Sequence, residues 1–450
     1  MFSTYNPSNL QKISDYQYID SAEIENIIQK SNGIFMQWGK NNLAERLNFI
    51  KILINSLTKN KDLLAKTASE EMGKPLKQSV AEIDKCMVLC QFYLQKADFF
   101  LKPDKINADG TESYVNYEPL GVILGVMPWN FPYWQVFRFA IPTIIAGNTV
   151  VVKHASSVAG CAQLIEQVFT EAGFPDGVYK NLLIAGKQVK EVIEHPHVKA
   201  ISLTGSEKAG ASVAAIAAAK IKKSVLELGG SNALIVLADA NLETTIPEAV
   251  KARFQNTGQS CIAAKRFFVH ASIYSEFIEE FTKQVAALKM GDPMQDDVYI
   301  GPMARVELAE EIEKQVNKSV AMGAKIVLGG VRDNAFYTPT ILTNVTPDMP
   351  VFNEEVFGPA VPVIPFDTFE EVVALSNKSN FGLGVSIFTA DIDAIKQKVH
   401  LFEEGAVFIN AMVKSDPALP FGGVKRSGFG RELAENGIKE FVNVKTVYIK

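Results

Sequence analysis

The sequence predicts an α/β protein built from two sheet-based units, on three observations. Strand-like and helix-like segments alternate from about residue 119 to 229. The alternation resumes after residue 230. The chain is 450 residues long, and single hydrophobic cores stop growing near ~250–300 residues. Alternation at this spacing favours βαβ units and a largely parallel, doubly wound sheet.

Each element follows from its local pattern. Residues 21–101 read as helices: "NLAERLNFIKILINSLTKNKDLLAKTASEEM" carries apolar residues three and four apart. "MGKP" punctuates it, and a long helix resumes through "LKQSVAEIDKCMVLCQFYLQKADFFL". "INADGTESYVNYEP" alternates like an exposed strand or hairpin. Next, "GVILGVMP" reads as a buried strand and "PYWQVFRFAIPTIIAG" as a helix. "NTVVVKH", "VYKNLLIAG", "VKAISLTG" and "KSVLELG" read as further strands, separated by the helices "GCAQLIEQVFTEAG", "KQVKEVIEH" and "EKAGASVAAIAAAK". In the second unit "NALIVLAD", "RFFVH", "AKIVLGG", "PAVPVIPF", "VSIFT" and "AVFIN" are strands, with helices such as "SIYSEFIEEFTKQVAALK" between them. No low-complexity linker marks the border and no short repeat recurs.

Composition excludes several classes of function. The net charge of −5 gives no basic footprint for nucleic acid. No apolar run approaches the ~18 residues of a membrane span; "FAIPTIIAGNTVVVK" is broken by Pro142, Gly147 and Asn148. The N-terminus lacks a basic, then apolar, leader pattern. Four cysteines make no disulfide framework, so a reducing cytoplasm is expected. Cys86 and Cys90 share one helix face without further ligands nearby, and the five histidines do not cluster. The expectation is buried thiols and no metal site.

Cys261, in "NTGQSCIAAKRFFVH", is different. Gly258 and Ser260 leave little bulk around it. A nucleophilic cysteine needs access, a lowered pKa, a partner base and donors for the oxyanion it creates. In "VLELGGSN", Glu227 ends an apolar strand, a setting that raises a carboxyl pKa toward general-base use. The alternative is an ion pair with Lys222 or Lys223. Asn130 lies between Pro128 and Pro132 in a stiff turn, where a fixed amide would suit an oxyanion donor or a helix cap. "LTGSEKAG" runs from strand into helix with Gly205 and Ser206 at the turn. Helix-start N–H groups there can hold a pyrophosphate, although the GxGxxG fingerprint is absent.

Together these segments resemble the aldehyde dehydrogenase superfamily over essentially the whole chain. The motifs keep the family's order: "PWNFP" at 128–132, "LTGS" at 203–206, "ELGG" at 227–230, "NTGQSC" at 256–261, "EEVFGP" at 354–359 and "PFGGVKRSGFGRE" at 420–432. The separation of Glu227 from Cys261 is similar to the family's base-to-nucleophile spacing. The resemblance implies a Rossmann-type cofactor domain (1–101 and 119–229), a second α/β catalytic domain (230–430), and a small β oligomerisation arm and tail (102–118 and 431–450). It implies Cys261 as thiolate nucleophile, Asn130 and the Cys261 N–H as oxyanion donors, and Glu227 as hydrolytic base. Glu355 would bond the nicotinamide ribose, Phe357 pack nearby, and Trp129, Gly205 and Ser206 approach the pyrophosphate.

One departure bears on the cofactor. In "VVVKHASS" the family's Lys-Pro-Ser-Glu becomes Lys153, His154, Ala155 and Ser156. A carboxylate there repels a 2′-phosphate; serine does not, and Lys153 adds positive charge. NADP is therefore expected in preference to NAD. Arg138, on the helix after Asn130, suits an ω-carboxylate through bidentate bonding, with Lys414 and Ser415 as further partners; the alternative for Arg138 is a salt bridge. "KHASS", "YWQVFR" and "VKSDP" are similar to the short bacterial succinate-semialdehyde dehydrogenases. The expected reaction is oxidation of succinic semialdehyde to succinate through a cysteine thiohemiacetal and thioester. Alternatives are another small or ω-carboxylated aldehyde such as glutarate semialdehyde, a cysteine-dependent acyl transferase, an inactive scaffold, or a CoA-acylating enzyme. The resemblance also implies a homodimer or homotetramer, since the strand pair at 102–118 and the tail "EFVNVKTVYIK" would leave exposed edges on a monomer.

Overall fold

The computed structural model describes all residues, Met1–Lys450. Its first sheet has six strands, in the order Gly428–Phe429, Lys223–Glu227, Val198–Thr204, Val122–Met127, Thr149–His154 and Tyr179–Asn181. All neighbours are parallel except Gly428–Phe429, which runs antiparallel to Lys223–Glu227. The chain starts at Val122–Met127, moves outward one way through two strands, then returns to build the other side. Strand order therefore reverses beside Val122–Met127, and open α/β sheets hold ligands at the carboxyl ends of strands at such a point. "PWNFP" follows Met127 and "GS" follows Thr204, so both motifs stand there.

The second sheet has seven strands, ordered Lys325–Leu328, Thr340–Thr343, Ala360–Phe366, Ala264–His270, Asn232–Val236, Val385–Phe388 and Val407–Ile409. Only Lys325–Leu328 is antiparallel to its neighbour. Alternate residues of Asn232–Val236 enter separate cores: Ala233 and Ile235 on one face, Leu234 and Val236 on the other. A strand covered on both faces reads as an unbroken apolar run, which is how "NALIV" appears.

Helices Leu43–Met72, Leu76–Leu101, Trp134–Ile145 and Ala159–Glu171 cover one face of the first sheet. Ser21–Trp38 and Glu207–Ala219 contribute to the core on the other. Helix Leu43–Met72 is capped by the Asn42 side chain and ends on Gly73 at φ 77°, a left-handed stop that glycine adopts readily. Cys86, Cys90 and Cys161 are buried among these helices. No helix is long and apolar enough to cross a membrane.

Some elements differ from the sequence expectation. A two-stranded hairpin, Phe2–Tyr5 with Lys12–Tyr16, precedes the first helix. Its strands are short and mostly exposed, so hydrophobic periodicity carries no signal for it. Strand Thr340–Thr343 is similarly short, and "VYKNLLIAG" is extended in the sheet only over Tyr179–Asn181. The tail is also partnered within its own chain. Val442–Ile449 pairs antiparallel with Glu112–Pro119 along all eight residues, and Asp104–Lys105 covers the other side. The edge left open is thus the tail strand itself, with Val444, Tyr448 and Ile449 exposed.

Candidate active site

Cys261 sits at the end of a tight turn between helix Leu242–Phe254 and strand Ala264–His270. Asn256 and Thr257 both have φ 55° and Gly258 has φ 73°. Consecutive left-handed residues cost energy unless their surroundings fix them. Here the Asn256 amide donates to the carbonyls of Asn130 (2.8 Å) and Gln259 (3.1 Å). The Asn256 N–H donates to Gln78 Oε1, and Gln259 Oε1 accepts from the Ala304 N–H. A Cβ at Gly258 would lie 2.5 Å from the Gly358 carbonyl oxygen. The fully buried Lys265 donates to the carbonyls of both Ser260 and Cys261 at 2.8 Å and pairs with Glu355 at 3.2 Å. Arg253, at the end of the preceding helix, donates to the carbonyls of Val356 and Gly358. The cysteine turn and the "EEVFGP" segment are therefore fastened to each other by two buried cations.

Cys261 is the only cysteine that is not buried. Its thiol nevertheless has a pKa pushed up to about 11, first by burial, with Arg138 and Lys265 opposing and Glu227 and Glu355 adding to the rise. This corrects the expectation of a lowered pKa. The turn gives access but leaves the sulfur poorly solvated, with the charges of Glu227 and Glu355 acting on it.

Asn130 is buried, and one of its amide hydrogens goes to the Gln259 carbonyl at 3.0 Å. Its carbonyl holds Asn256, so the turn that carries Cys261 and the turn that carries Asn130 brace one another. His154 adds a second brace. Its Nδ1 accepts from the Ala155 N–H, which leaves Nε2–H to donate to the Pro132 carbonyl at 2.7 Å. Burial lowers the imidazole pKa to about 4, so the ring is neutral at ordinary pH.

Glu227 ends strand Lys223–Glu227 with only 1% exposure, and neither carboxyl oxygen has a hydrogen-bond partner. Burial pushes its pKa well above the ordinary value; Arg138 opposes and Glu432 reinforces the shift. The alternative ion pairs do not form. Lys222 donates to the carbonyls of Ile193 and His195, and Lys223 pairs with Glu440.

Two cavities meet at Cys261. The wider cleft, ≈ 670 Å³, opens at the switch point of the first sheet. Its wall includes Trp129, Asn130, Gly205, Ser206, Glu355 and Phe357. Ser206 caps helix Glu207–Ala219 by accepting from the Ala209 N–H, so the positive end of that helix faces the cleft. Trp129 and Phe357 meet edge to face at 5.8 Å. Glu355 Oε1 accepts from the Gly230 N–H, and a Cβ at Gly229 would run into its other oxygen. Lys153 and Ser156 do not line this cleft. Lys153 is half-buried at the end of its strand, its pKa lowered by burial, and no carboxylate lies within ion-pair distance. Ser156 Oγ lies 3.4 Å from the Tyr18 hydroxyl, beside a small side pocket.

The second cavity is narrow, ≈ 120 Å³, and is lined by Arg138, Lys414 and Ser415 among others. Arg138 is buried and ion-paired with Glu432, and its guanidinium stacks on Phe421 at 4.5 Å. Lys414 is largely exposed and pairs with Asp416 at 3.4 Å. Ser415 is buried and accepts hydrogen bonds from Trp134 Nε1 and Lys85 Nζ. Glu227 lines neither cavity, although its sequence neighbours Leu228 and Gly229 line the wide cleft. Sequence reasoning did not single out Lys85, Asn256 or Lys265. For Lys85 a signal existed: Glu82, Cys86 and Leu89, at i−3, i+1 and i+4, are all buried, so the lysine borders the packed face of its helix.

The family description "Aldehyde dehydrogenase family" matches residues 1–447. A Synechocystis sp. protein named "Probable succinate-semialdehyde dehydrogenase", NADP(+), is 45% identical over 450 residues, covering 99% of each chain. The Escherichia coli K12 protein named "Succinate semialdehyde dehydrogenase", NAD(P)+, Sad, is 43% identical, covering 98% of this chain and 96% of its own. The crystal structure of succinic semialdehyde dehydrogenase from Streptococcus pyogenes in complex with NADP+ superposes with a TM-score of 0.97 at 35% identity, over 100% of both chains.

Proposed function

Because this chain belongs to the aldehyde dehydrogenase family, we propose that it oxidises succinic semialdehyde to succinate with NADP, using Cys261 as nucleophile, Asn130 as oxyanion donor and Glu227 as hydrolytic base. The observation that carries the reading is the position of Cys261, half-buried where a wide cleft and a narrow cavity meet. A dinucleotide needs the room of the first, and a short aldehyde fits the second.

The residues of the wide cleft suit a nicotinamide dinucleotide. The capped helix start at Ser206 offers N–H groups to a pyrophosphate, and Glu355 is held in the wall as an acceptor for ribose hydroxyls. Bound there, the oxidised nicotinamide supplies a hydride acceptor. The thiolate form of Cys261, its proton already lost to solvent, attacks the aldehyde carbon from the junction of the two cavities. The negative charge that develops on the aldehyde oxygen is received by the second Asn130 N–H and by the Cys261 backbone N–H; neither of these donors has an acceptor in the protein. Once the carbon is oxidised, Cys261 carries a thioester. Glu227, unpartnered and of raised pKa, rotates from its buried seat to take a proton from the attacking water, and the acid leaves with the thiol restored.

The NADP preference rests on Ser156 in place of a carboxylate and on Lys153, a cation free of any ion pair; both stand outside the wall of the wide cleft, at the end of the strand that adjoins its switch point. The named cofactors of the Synechocystis and E. coli relatives support it. Arg138 and Lys414 bring cationic side chains to the wall of the narrow cavity, and Ser415 brings a hydroxyl. Homodimer or homotetramer assembly through the open tail strand Val442–Ile449, and residence in a reducing compartment with four free cysteines, belong to the same proposal.

The test is a steady-state panel of succinic semialdehyde, glutarate semialdehyde and butanal against NADP and NAD, with and without CoA, followed by absorbance of the reduced nicotinamide. The expected result is the highest kcat/KM with succinic semialdehyde and NADP, without need of CoA. A tenfold or larger preference for NAD would overturn the cofactor assignment. Strict dependence on CoA would overturn Glu227 as hydrolytic base.

A further inference from the structure

Building on the proposed oxidation of succinic semialdehyde, we propose that Lys85 of helix Leu76–Leu101 is the receptor for the substrate's far carboxylate, acting with the Ser415 hydroxyl. Of the three cations lining the narrow cavity, two are already paired. Arg138 shares its charge with Glu432. Lys414 is exposed and pairs with Asp416. Lys85 lines the same cavity as Cys261, yet no carboxylate lies within ion-pair distance of it. Its ammonium sits 4.0 Å above the Trp134 ring and donates to Ser415 Oγ at 2.7 Å.

The nearby acids are engaged elsewhere. Glu82, on the same helix, accepts from the N–H groups of Tyr133 and Trp134 at 2.8 Å and pairs with Lys74. Asp416 accepts from the Ala418 N–H as well as facing Lys414.

Ser415 completes the anchor. Its oxygen accepts from Lys85 and, at 3.0 Å, from Trp134 Nε1. A hydroxyl has two acceptor lone pairs and one proton. With both lone pairs occupied, the proton of this buried hydroxyl is left to donate, and no protein atom accepts it. A cation without a counter-ion, next to a hydroxyl obliged to donate, is a site for a carboxylate. Burial and the like charge of Arg138 lower the Lys85 pKa to about 8, with Cys86, Glu82 and Asp416 opposing. An anion arriving beside it would relieve that stress.

The experiment compares Lys85→Gln, which loses the charge but can still donate to Ser415, with Lys85→Met and Lys85→Arg. The readout is the ratio of kcat/KM for succinic semialdehyde to that for butanal. The ratio should fall about tenfold or more in the Gln and Met variants and recover at least in part in the Arg variant. An equal fall for both aldehydes, or an unchanged ratio, overturns the proposal. Succinate as competitive inhibitor of butanal oxidation gives a second readout. Its inhibition constant should rise about tenfold in Lys85→Gln, and an unchanged constant also overturns the proposal. A wild-type enzyme that ignores succinic semialdehyde but is inhibited by succinate through Lys85 would refute the substrate reading while leaving the carboxylate site standing.

Discussion

The sulfur of Cys261 is accessible but not pre-ionised in this site. With a pKa near 11, the thiolate fraction at neutral pH is small and grows about tenfold for each pH unit below that value. Inactivation of the cofactor-free enzyme by iodoacetamide should therefore accelerate steadily from pH 7 to 9. A plateau below pH 8 would show a thiol already ionised and would contradict the burial argument. At this scale the sequence was informative where a residue's role depends on its immediate neighbours. Cys261 beside Gly258 and Ser260, and Glu227 at the end of an apolar strand, could be identified because access and desolvation follow from adjacent residues. For Lys85 the adjacent residues show only that it borders a packed helix face; its meaning comes from Ser415, 330 positions away. The thiol's raised pKa is hidden for a similar reason: burial raises it first, and Glu227 and Glu355 add to the rise from distant segments.

The element that matters most is the turn from Gln255 to Cys261. It is left-handed at three successive residues and is tied down by Asn130, Gln78, Ala304 and Lys265. Gly258→Ala would add a Cβ at φ 73° and 2.5 Å from the Gly358 carbonyl, so either the turn or the "EEVFGP" segment must move. A destabilisation of about 1–3 kcal/mol is expected, seen as a lower denaturant midpoint, together with a loss of kcat. Unchanged stability and kcat would mean the turn is softer than its bonds imply. Long periodic helices and apolar strands were legible from spacing alone. The hairpin Phe2–Tyr5 with Lys12–Tyr16 was not, because it is short and mostly exposed. The pairing of Val442–Ile449 with Glu112–Pro119 joins segments far apart in the chain, which periodicity cannot specify.

Across the whole molecule, two sheets each contribute one part of a single junction. The first presents its switch point, with "PWNFP" and "LTGS" at the strand ends. The second presents the start of strand Ala264–His270, just beyond Cys261. Lys265 and Arg253 bind the cysteine turn to Glu355 and its neighbours, so the nucleophile and a wall of the wide cleft are held as one piece. The class of fold was readable from strand–helix alternation, and the position of the cleft from motifs that fall at strand ends. The narrow cavity was only partly readable, because its walls come from a helix near residue 85, a helix near 138 and a loop near 415 that share no sequence pattern. The central claim is covalent catalysis at Cys261 with Glu227 needed for release. Its most direct test is mass spectrometry of Glu227→Gln after incubation with succinic semialdehyde and NADP. One equivalent of reduced cofactor and a succinyl group on the peptide containing Cys261 are expected; reduced cofactor formed in that variant with Cys261 never acylated would rule out the thioester route.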